Sequence, residues 1–335
     1  GSVSSVNSSE AALFGELTYP FSTKLKATLG LRGSTYFYKD SLLDMGIFAV
    51  FEPRFNFSYT ISQTLQLSFS TQQQVQYLNQ VMNSTIGFPT NFWIMASDEV
   101  PFQKSQSVSL GMEKQLFDYE YKFLTNVFYR KLYNQFESTG HIIELIQQEV
   151  DQRSRYRIGY GDNYGAEFLF QKKYDKLTGW IAYTLSWAWR KFDEFEKRTP
   201  AISDRRHDLN LVLAYDTRAK WDFSASFVLA SGAPTTFSKG VYLIGEMPMN
   251  DYAEYNSNRL PTYHRLDISA TRKLNIKYFK ESRLNFSIYN VYGRLNPLMY
   301  ASQLMYNNKT TEFRASGYYH ALFTLLPSIG LKLSF

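Results

Sequence analysis

Apolar and polar residues alternate strictly along much of this chain. In the segment 64–70, Leu65, Leu67 and Phe69 occupy the odd positions, and the even positions carry only Thr, Gln or Ser. The same register recurs at 208–211, 221–227, 266–271 and 284–288. A period of two residues is typical of β-strands whose two faces meet different surroundings. The pattern therefore predicts an all-β fold that extends over the whole chain.

The connections between these segments alternate between short and long. Short connections are predicted near 20–23, 61–63, 117–119, 174–176, 216–219 and 277–282, and long ones over 76–103, 135–157, 193–203, 233–258 and 301–312. Transmembrane β-barrels sort their loops in this way, with short periplasmic turns and long extracellular loops. We therefore predict an antiparallel transmembrane β-barrel with about thirteen strands in this chain. The predicted strands are 8–20, 23–39, 46–60, 62–75, 104–117, 119–134, 158–173, 176–192, 204–216, 219–232, 259–276, 281–300 and 313–335.

Composition excludes several other classes. The chain has 335 residues, a net charge of +6, no cysteine and a mean hydropathy of −0.33. Its apolar runs are far shorter than the ~20 residues that a transmembrane helix needs, and its 17% aromatic content argues against disorder. The lack of cysteine excludes a disulfide framework, a zinc ribbon and a cysteine nucleophile. Lys and Arg are scattered, so no nucleic-acid partner is predicted.

The polar parity of the strands defines the candidate lumenal face. If the apolar residues face lipid, the residues between them face the interior of the barrel. Such residues would contact water, cargo or a domain inside the barrel. The lumen-facing candidates are Arg32, Arg54, Gln66, Gln72, Gln74, Arg130 and Glu167.

Two long connections carry the candidate ligand-binding residues. Both mix aromatic rings, which can stack on a ligand, with amides, which can form hydrogen bonds to it. The candidates are Tyr77, Asn91, Phe92 and Trp93 in the first connection, and Tyr242, Tyr252 and Tyr255 in the second.

Neither a catalytic residue, a metal site nor a cofactor is predicted. The four histidines are far apart in sequence and lack the spacing of a metal site. Beside Arg and acidic residues, His207 and His264 are expected to join lumenal hydrogen-bond networks. A Ser/His/Asp site could still assemble in space, but the chain contains no nucleophile elbow. A hydrolase with its active site inside the barrel therefore remains an alternative function.

The C-terminal residues form a distinct signal. Ile329, Leu331, Leu333 and Phe335 alternate with Gly330, Lys332 and Ser334, and the sequence ends on the aromatic residue. Outer-membrane barrels commonly end in this way. We predict that these four apolar residues are the signal that the barrel assembly machinery recognises.

Five motifs together resemble a known family. They are Asp204-Arg-Arg-His-Asp-Leu-Asn-Leu, Ser231-Gly-Ala-Pro-Thr-Thr, Arg259-Leu-Pro-Thr-Tyr-His-Arg-Leu-Asp-Ile-Ser, Leu284-Asn-Phe-Ser-Ile-Tyr-Asn-Val-Tyr-Gly-Arg-Leu-Asn-Pro and Leu326-Pro-Ser-Ile-Gly-Leu. In this order they resemble the C-terminal barrel of TonB-dependent outer-membrane transporters, of the Bacteroidota type outside the SusC group. The resemblance is specific over about 200–335.

The resemblance implies a 22-stranded barrel with a plugged lumen, in which some lumenal residues face the plug. Residues 1–335 would then be the C-terminal part of one outer-membrane barrel domain, with residue 1 in or near an extracellular loop. The plug and the remaining strands would belong to another chain, through which the TonB complex would act.

The implied function is active import of a scarce extracellular ligand across the outer membrane. The expected partners are membrane lipid and lipopolysaccharide, the assembly machinery and a surface lipoprotein. The alternative function is a passive pore or a structural barrel protein. The substrate is not indicated by any residue.

Overall fold

The computed structural model describes residues 6–40, 45–82, 91–138, 156–245, 247–307 and 312–334. None of its elements in these ranges is a helix that could cross a bilayer. Phe335, the last residue of the predicted assembly signal, lies outside the described residues. The described strands are β1 (Val6–Pro20), β2 (Leu25–Asp40), β3 (Met45–Ser62), β4 (Leu65–Gln76), β5 (Leu78–Met82), β6 (Asn91–Met95), β7 (Gln103–Leu116), β8 (Tyr121–Ser138), β9 (Tyr156–Lys172), β10 (Leu177–Phe192), β11 (Thr199–Pro200), β12 (His207–Asp216), β13 (Trp221–Ala230), β14 (Pro234–Thr235), β15 (Ser238–Ile244), β16 (Met247–Tyr252), β17 (Asn258–Arg259), β18 (Tyr263–Leu274), β19 (Glu281–Tyr289), β20 (Pro297–Asn307), β21 (Glu312–Ala321) and β22 (Leu326–Ser334).

Thirteen of these strands form one antiparallel sheet in the order β1-β2-β3-β4-β7-β8-β9-β10-β12-β13-β18-β19-β22, and β11 pairs with β10 beside this path. Four small two-stranded sheets lie within the long connections: β5-β6, β14-β17, β15-β16 and β20-β21. From β3 to β22, strands that follow one another in the main sheet are joined by alternately short and long connections, whereas β2 and β3 are separated by only four residues. The all-β, antiparallel architecture and the thirteen strands predicted from the sequence are confirmed.

The chain divides into two compact units. The first comprises Gly1–Met112, Val127–Tyr164 and Ala188–Pro200, and the second comprises Glu113–Asn126, Gly165–Trp187 and Ala201–Phe335.

In the first unit, the register of β1 to β4 separates apolar and polar residues onto two faces. The apolar face pairs Leu17 with Leu29, Leu29 with Phe55, and Tyr59 with Leu67. The polar face pairs Thr18 with Thr28, Thr28 with Asn56, and Asn56 with Ser70. Since successive side chains of a strand point to opposite faces, the alternation of the sequence becomes two chemically different surfaces.

The second unit repeats this separation. Its apolar face pairs Leu211 with Phe227, Ile268 with Ile288, and Leu284 with Leu331. Its polar face pairs Ser226 with Asp267, and Ser287 with Ser328. On the first of these faces, Ile268 and Leu331 are exposed and the other four residues are half-buried. A surface of exposed and half-buried apolar residues suits contact with lipid.

The short turns carry backbone in the left-handed region. Phe117, Asp118 and Tyr119 are consecutive residues with φ of 51°, 51° and 68°, and Asp175 and Arg218 adopt φ of 79° and 58° in two other turns. Such values are uncommon for residues other than glycine, and here they allow adjacent strands to be joined by a few residues. Exposed rings at these turns include Phe117, Tyr174 and Tyr278, which fits an aromatic girdle at one membrane interface.

The boundaries of the last two predicted strands are wrong. The sequence predicts strands over 281–300 and 313–335, whereas β19 ends at Tyr289 and β20 pairs with β21 in a separate hairpin. The cause is the turn after β19, in which Asn290 and Gly293 adopt φ of 55° and 64°. The side-chain amide of Asn290 donates to the carbonyl oxygens of Arg294 (2.9 Å) and Thr324 (3.1 Å). The buried side chain of Asn290 therefore connects the start and the end of the segment that lies between β19 and β22.

Candidate functional site

The polar face of the first unit carries a ladder of charges. The guanidinium of Arg32 contacts the carboxylate of Glu10 at 2.5 Å, and its Nε lies 3.6 Å from the carboxylate of Glu52. Glu52 is buried and also accepts a hydrogen bond from the backbone N–H of Val75 at 3.2 Å. Arg32 is therefore committed to two carboxylates and contributes no free positive charge to this face.

Arg54 has a different environment on the same face. Its register partners are Gly30 and Gln72, and a cavity of 460 Å³ beside it is lined by Glu16, Gly30 and Arg32 among others. Because Gly30 has no side chain, the strand leaves open space next to the guanidinium. Arg54 is exposed, and within the described residues it has no carboxylate within ion-pair distance.

The other predicted lumenal residues occupy polar positions on their strands. Gln66 pairs with Thr60, and Gln74 follows Gln72 at the next position of the same parity. Glu167 accepts a hydrogen bond from the amide of Asn126 at 3.3 Å. Arg130 alternates with Tyr129 and is exposed. Whether these side chains contact cargo or a plug stays a prediction.

In the second unit, three of the sequence motifs meet around Asp204. The Asp204 carboxylate is 1% exposed and forms an ion pair with Arg259. The same guanidinium donates to the carbonyl oxygens of Asp204 (3.0 Å) and Gly232 (3.1 Å). A Cβ on Gly232 would lie 1.5 Å from the carbonyl oxygen of Leu260. The aspartate, the glycine and the arginine therefore form one structural joint where β12, β13 and β18 approach their long connections.

A second network joins β18 to the turn after β19. The carboxylate of Asp267 accepts hydrogen bonds from the backbone N–H of Asn290 (2.8 Å) and from Nε of Arg265 (2.9 Å). Nη1 of Arg265 also donates to the hydroxyls of Tyr263 (2.9 Å) and Tyr289 (2.8 Å). Because these polar residues form hydrogen bonds to one another, the motif that contains them supports the fold.

The two motif histidines lie on the apolar face, so their predicted lumenal placement is wrong. His207 follows the parity of Leu209 and Leu211, and His264 pairs with Leu229. Each ring stands at a strand end, where Nδ1 is 2.8 Å from a tyrosine hydroxyl, that of Tyr183 for His207 and that of Tyr292 for His264. The sequence prediction failed because the flanking charged residues suggested a polar face, although the parity of each strand assigns the apolar one.

The His264–Tyr292 contact closes the end of β18 against the turn after β19. Burial raises the pKa of the Tyr292 hydroxyl, and the nearby Arg294 cation opposes that shift. The tautomer of the imidazole decides which of the two groups donates. Asn296 fixes the same segment, because it accepts from the backbone N–H of His264 at 3.0 Å and donates to its carbonyl oxygen at 2.9 Å. A hydrogen-bonded tyrosine and histidine at a strand end suit a membrane interface.

The predicted loop residues divide into buried and exposed groups. Tyr77 is buried and stacks on Tyr36 with ring centroids 4.6 Å apart, and its hydroxyl lies 3.0 Å from that of Ser34. It therefore packs the end of the sheet in this conformation and presents little ring surface to a ligand. Trp93, on β6, is exposed. Asn91 and Phe92 belong to the same strand, and their side chains lie outside the described part.

The β15-β16 hairpin presents the remaining loop candidates. Tyr242 and Tyr252 are both exposed, and Tyr255 is half-buried just after the hairpin. The long connection that contains β15 and β16 contacts the one that contains β20 and β21 through rings absent from the sequence prediction. Phe237 lies 4.5 Å from Tyr300 and 6.5 Å from Tyr319 between ring centroids. No periodic pattern marks such contacts between loops.

The C-terminal strand places its predicted signal on the apolar face. Ile329 pairs with Phe286, Leu331 with Leu284, and Leu333 with Ser282. These three apolar side chains of β22 are exposed. Their recognition by an assembly machine stays a prediction.

Metal-binding chemistry has no support in the described part of the chain. Its residues contain no group of three or more His, Cys, Asp or Glu side chains that could hold a metal ion.

Comparison with known proteins adds the family. The family model described as "TonB dependent receptor-like, beta-barrel" matches residues 1–291. A search of curated proteins found no match.

Solved structures of the same fold have low sequence identity to this chain. The ferric-catecholate import receptor Fiu of E. coli K12 is similar with a TM-score of 0.60 and 10% identity over 98% of this chain. The ferripyoverdine receptor of Pseudomonas aeruginosa gives 0.61 and 12% over 97%, and the FrpB iron transporter of Neisseria meningitidis gives 0.62 and 12% over 97%. The chain spans 45%, 38% and 45% of the lengths of these three proteins. With two chemically distinct strand faces and a family match over most of its length, the chain belongs to the TonB-dependent receptor-like β-barrel family of the outer membrane.

Proposed function

We propose that the protein containing this chain is an energised importer, which binds a scarce ligand outside the cell and moves it through a plugged barrel. The observation that carries the proposal is the family match over residues 1–291. The barrel supplies no free energy of its own, so the TonB complex would act on a plug domain. We propose that this plug and the other barrel strands lie outside the sequence, in keeping with the fraction of each similar receptor that the chain spans.

For the ligand, we propose an anionic ferric chelate as the first class to test. The similar structures include receptors for ferric catecholate and ferripyoverdine. On the polar face of this chain, Arg54 and Arg130 are exposed cations without an ion-pair partner among the described residues. Exposed cations along a lumenal path attract an anionic ligand and raise its local concentration.

The extracellular contacts would come from the exposed rings of the long connections. Trp93, Tyr242 and Tyr252 offer surfaces for stacking, and each belongs to a two-stranded sheet that limits its freedom. Rigid aromatic residues at a binding surface lose little conformational entropy when they bind. We expect no enzymatic step, and a surface lipoprotein partner remains an expectation from the family resemblance.

Uptake by cells tests the proposal. The complete protein is expressed in a Gram-negative strain that lacks its own ferric-chelate receptors, and accumulation of radioactive iron is measured with a panel of chelates. We expect accumulation that stops when TonB is deleted or when a protonophore is added. Accumulation that persists without TonB would contradict energised import.

A conductance measurement separates the main alternative. The purified complete protein in a planar lipid bilayer should conduct little, because a plug occupies the lumen. Large, steady conductance together with TonB-independent uptake would instead establish a passive pore.

A further inference from the structure

On the lipid-facing side of the first unit, the strands change from apolar to polar before they end. Along β7, Leu110 and Val108 are exposed apolar residues, and the next two positions of the same parity are Gln106 and Lys104. Both polar positions lie toward the end of β7 that follows a long connection. In an outer-membrane barrel this end is extracellular, so the polar positions meet the headgroups of the outer leaflet.

The neighbouring strand β8 changes in the same way. Val127 is exposed, and the same parity continues through Tyr129, Lys131 and Tyr133. The hydroxyl of Tyr133 donates to the side-chain oxygen of Gln106 at 3.2 Å. The ammonium of Lys104 lies 4.8 Å from the centre of the Tyr133 ring.

Next along the sheet, Asp162 gathers two cations on this surface. Although Asp162 alternates with the exposed Tyr160 and Tyr164, its side chain is only 6% exposed. Its carboxylate lies 3.0 Å from Nζ of Lys131 and 3.2 Å from Nη1 of Arg198, and the hydroxyl of Tyr129 donates to it at 2.6 Å. Lys131 also lies 4.4 Å from the centre of the Tyr160 ring. The carboxylate holds both cations in place at the level of the tyrosines.

The charges of this surface do not cancel. Lys104, Lys131 and Arg198 contribute three positive charges and Asp162 contributes one negative charge, which leaves a net charge of about +2 at neutral pH. Within the described residues, Lys104 has no carboxylate within 4.0 Å, and the Arg198 side chain is 55% exposed. Positive charge that remains exposed beside the headgroups attracts an anionic partner in the membrane.

A groove on the same side of the first unit extends from the polar level into the apolar one. It has a volume of 790 Å³ and is lined by Gln73 and Gln106 together with Leu29, Leu31 and Phe55, and the intervening residues of the opposite parity also border it, Glu16, Gly30, Arg54 and Gln72. The amide of Gln106 donates to the side-chain oxygen of Gln73 at 2.8 Å. Amides beside the cations suit the hydroxyls of a sugar, and the leucines below them suit an acyl chain.

We propose that this surface, formed by Gln73, Lys104, Gln106, Lys131 and Arg198 around Asp162, binds the phosphorylated sugar headgroup of an outer-leaflet glycolipid. Lys131 and Arg198 bind one phosphate and Lys104 binds another, since basic side chains at the membrane surface attract anionic headgroups. The groove receives an acyl chain. The inference depends on the family's membrane placement and is independent of the transported ligand.

Lipid retention by the complete protein tests the proposal. The protein is purified in a zwitterionic detergent, and native mass spectrometry measures binding of lipid A, a diglucosamine glycolipid with two phosphates, against phosphatidylglycerol and phosphatidylcholine. The variant Lys104→Gln/Arg198→Gln removes two cations and leaves the Lys131–Asp162 pair intact, so that the buried carboxylate stays neutralised. We expect its affinity for lipid A to fall about thirty-fold.

The matched control is Arg218→Gln/Lys277→Gln, at the short-turn end of the second unit. Arg218 pairs with Asp175 at 3.1 Å, and Lys277 lies 5.3 Å from the centre of the Tyr278 ring, so the control removes the same kinds of contact. We expect its lipid A binding to stay within twofold of the unsubstituted protein. The proposal is overturned if the first variant stays within threefold, if the control loses as much affinity, or if phosphatidylglycerol binds as tightly as lipid A.

Discussion

Removal of Arg259, whose partner is a buried carboxylate, should destabilise the fold more than removal of an arginine whose partner is exposed. Its guanidinium forms an ion pair with a buried carboxylate and donates to two carbonyl oxygens. In Arg259→Ala, the buried carboxylate of Asp204 loses the shorter of its ion pairs with Arg259 and Arg206 and keeps the one with Arg206, at 3.4 Å. Leaving one member of a buried ion pair without its partner costs about 3–5 kcal/mol. The Arg259 side chain is 35% exposed, so water screens part of this cost. We therefore expect a loss of about 2–4 kcal/mol.

Equilibrium unfolding in detergent micelles measures this loss. Tryptophan fluorescence is followed against guanidinium chloride, and the free energy of unfolding is obtained from the midpoint and slope. The matched control is Arg218→Ala, whose ion pair with Asp175 leaves both side chains more than 60% exposed. Exposed pairs contribute about 0–1 kcal/mol. The free energy of unfolding of this variant should therefore differ from that of the unsubstituted protein by no more than that amount.

A double-mutant cycle with Asp204→Asn isolates the pair. If the pair is coupled as its geometry indicates, Arg259→Ala should cost at least 1 kcal/mol less in the Asp204→Asn background, because residue 204 then carries no buried charge that Arg259 would neutralise. Equal costs in both backgrounds, or equal losses for Arg259→Ala and Arg218→Ala, would refute the reasoning.

Three further substitutions test the close packing at Gly232, the two faces of β22 and the role of Arg54. Gly232→Ala should prevent or strongly weaken folding, because its Cβ would lie 1.5 Å from the Leu260 carbonyl oxygen. The control Gly15→Ala should fold normally, because its Cβ would have no atom within 4 Å. Heat-modifiable migration on gels measures the folded fraction of both variants. Leu331→Arg should lower the free energy of unfolding in lipid by about 2–4 kcal/mol, the cost of an arginine on the lipid face near the bilayer centre. The control Gly330→Arg, on the opposite face of the same strand, should cost under half of that. Equal costs would contradict the assignment of faces. Arg54→Glu should reduce uptake of an anionic chelate without changing the amount of folded protein, and unchanged uptake would remove Arg54 from the ligand path.

The sequence predicts the main sheet well because one physical constraint acts on every strand. A barrel strand separates lipid from a polar interior, so residues such as Leu65 and Leu67 alternate with polar neighbours along their full length. The register then follows, since Tyr59 faces Leu67 and Asn56 faces Ser70 in the structure. For this reason the sequence predicts the thirteen strands of the main sheet.

The long connections are not constrained by lipid, and there the prediction fails. The alternation near 300 belongs to the β20-β21 hairpin, although it resembles a continuation of β19. The turn that separates them depends on the left-handed backbone of Asn290 and on its hydrogen bonds to residues far along the chain. Contacts of that range leave no periodic trace in the sequence.

Single positions that break the pattern carry the least predictable roles. Asp162 follows the parity of exposed tyrosines, yet its neighbours Lys131 and Arg198 become visible only when the strands and the Arg198 segment are placed together. Tyr77 illustrates the reverse case, since a ring in a predicted loop becomes part of a buried cluster with Tyr36. Composition identifies the residue type, but burial decides whether it binds a ligand or supports the fold.

The strands of this chain cross a membrane with one face in lipid and the other in a polar interior. Because the chain contains no cysteine, single cysteines can be introduced at each position from 65 to 70 of β4 in the complete protein and labelled with a nitroxide in lipid bilayers. Collision rates with oxygen, which concentrates in lipid, should be high at 65, 67 and 69 and low at 66, 68 and 70. Collision rates without this two-residue period, or with their maxima at the even positions, would contradict this placement of the two faces.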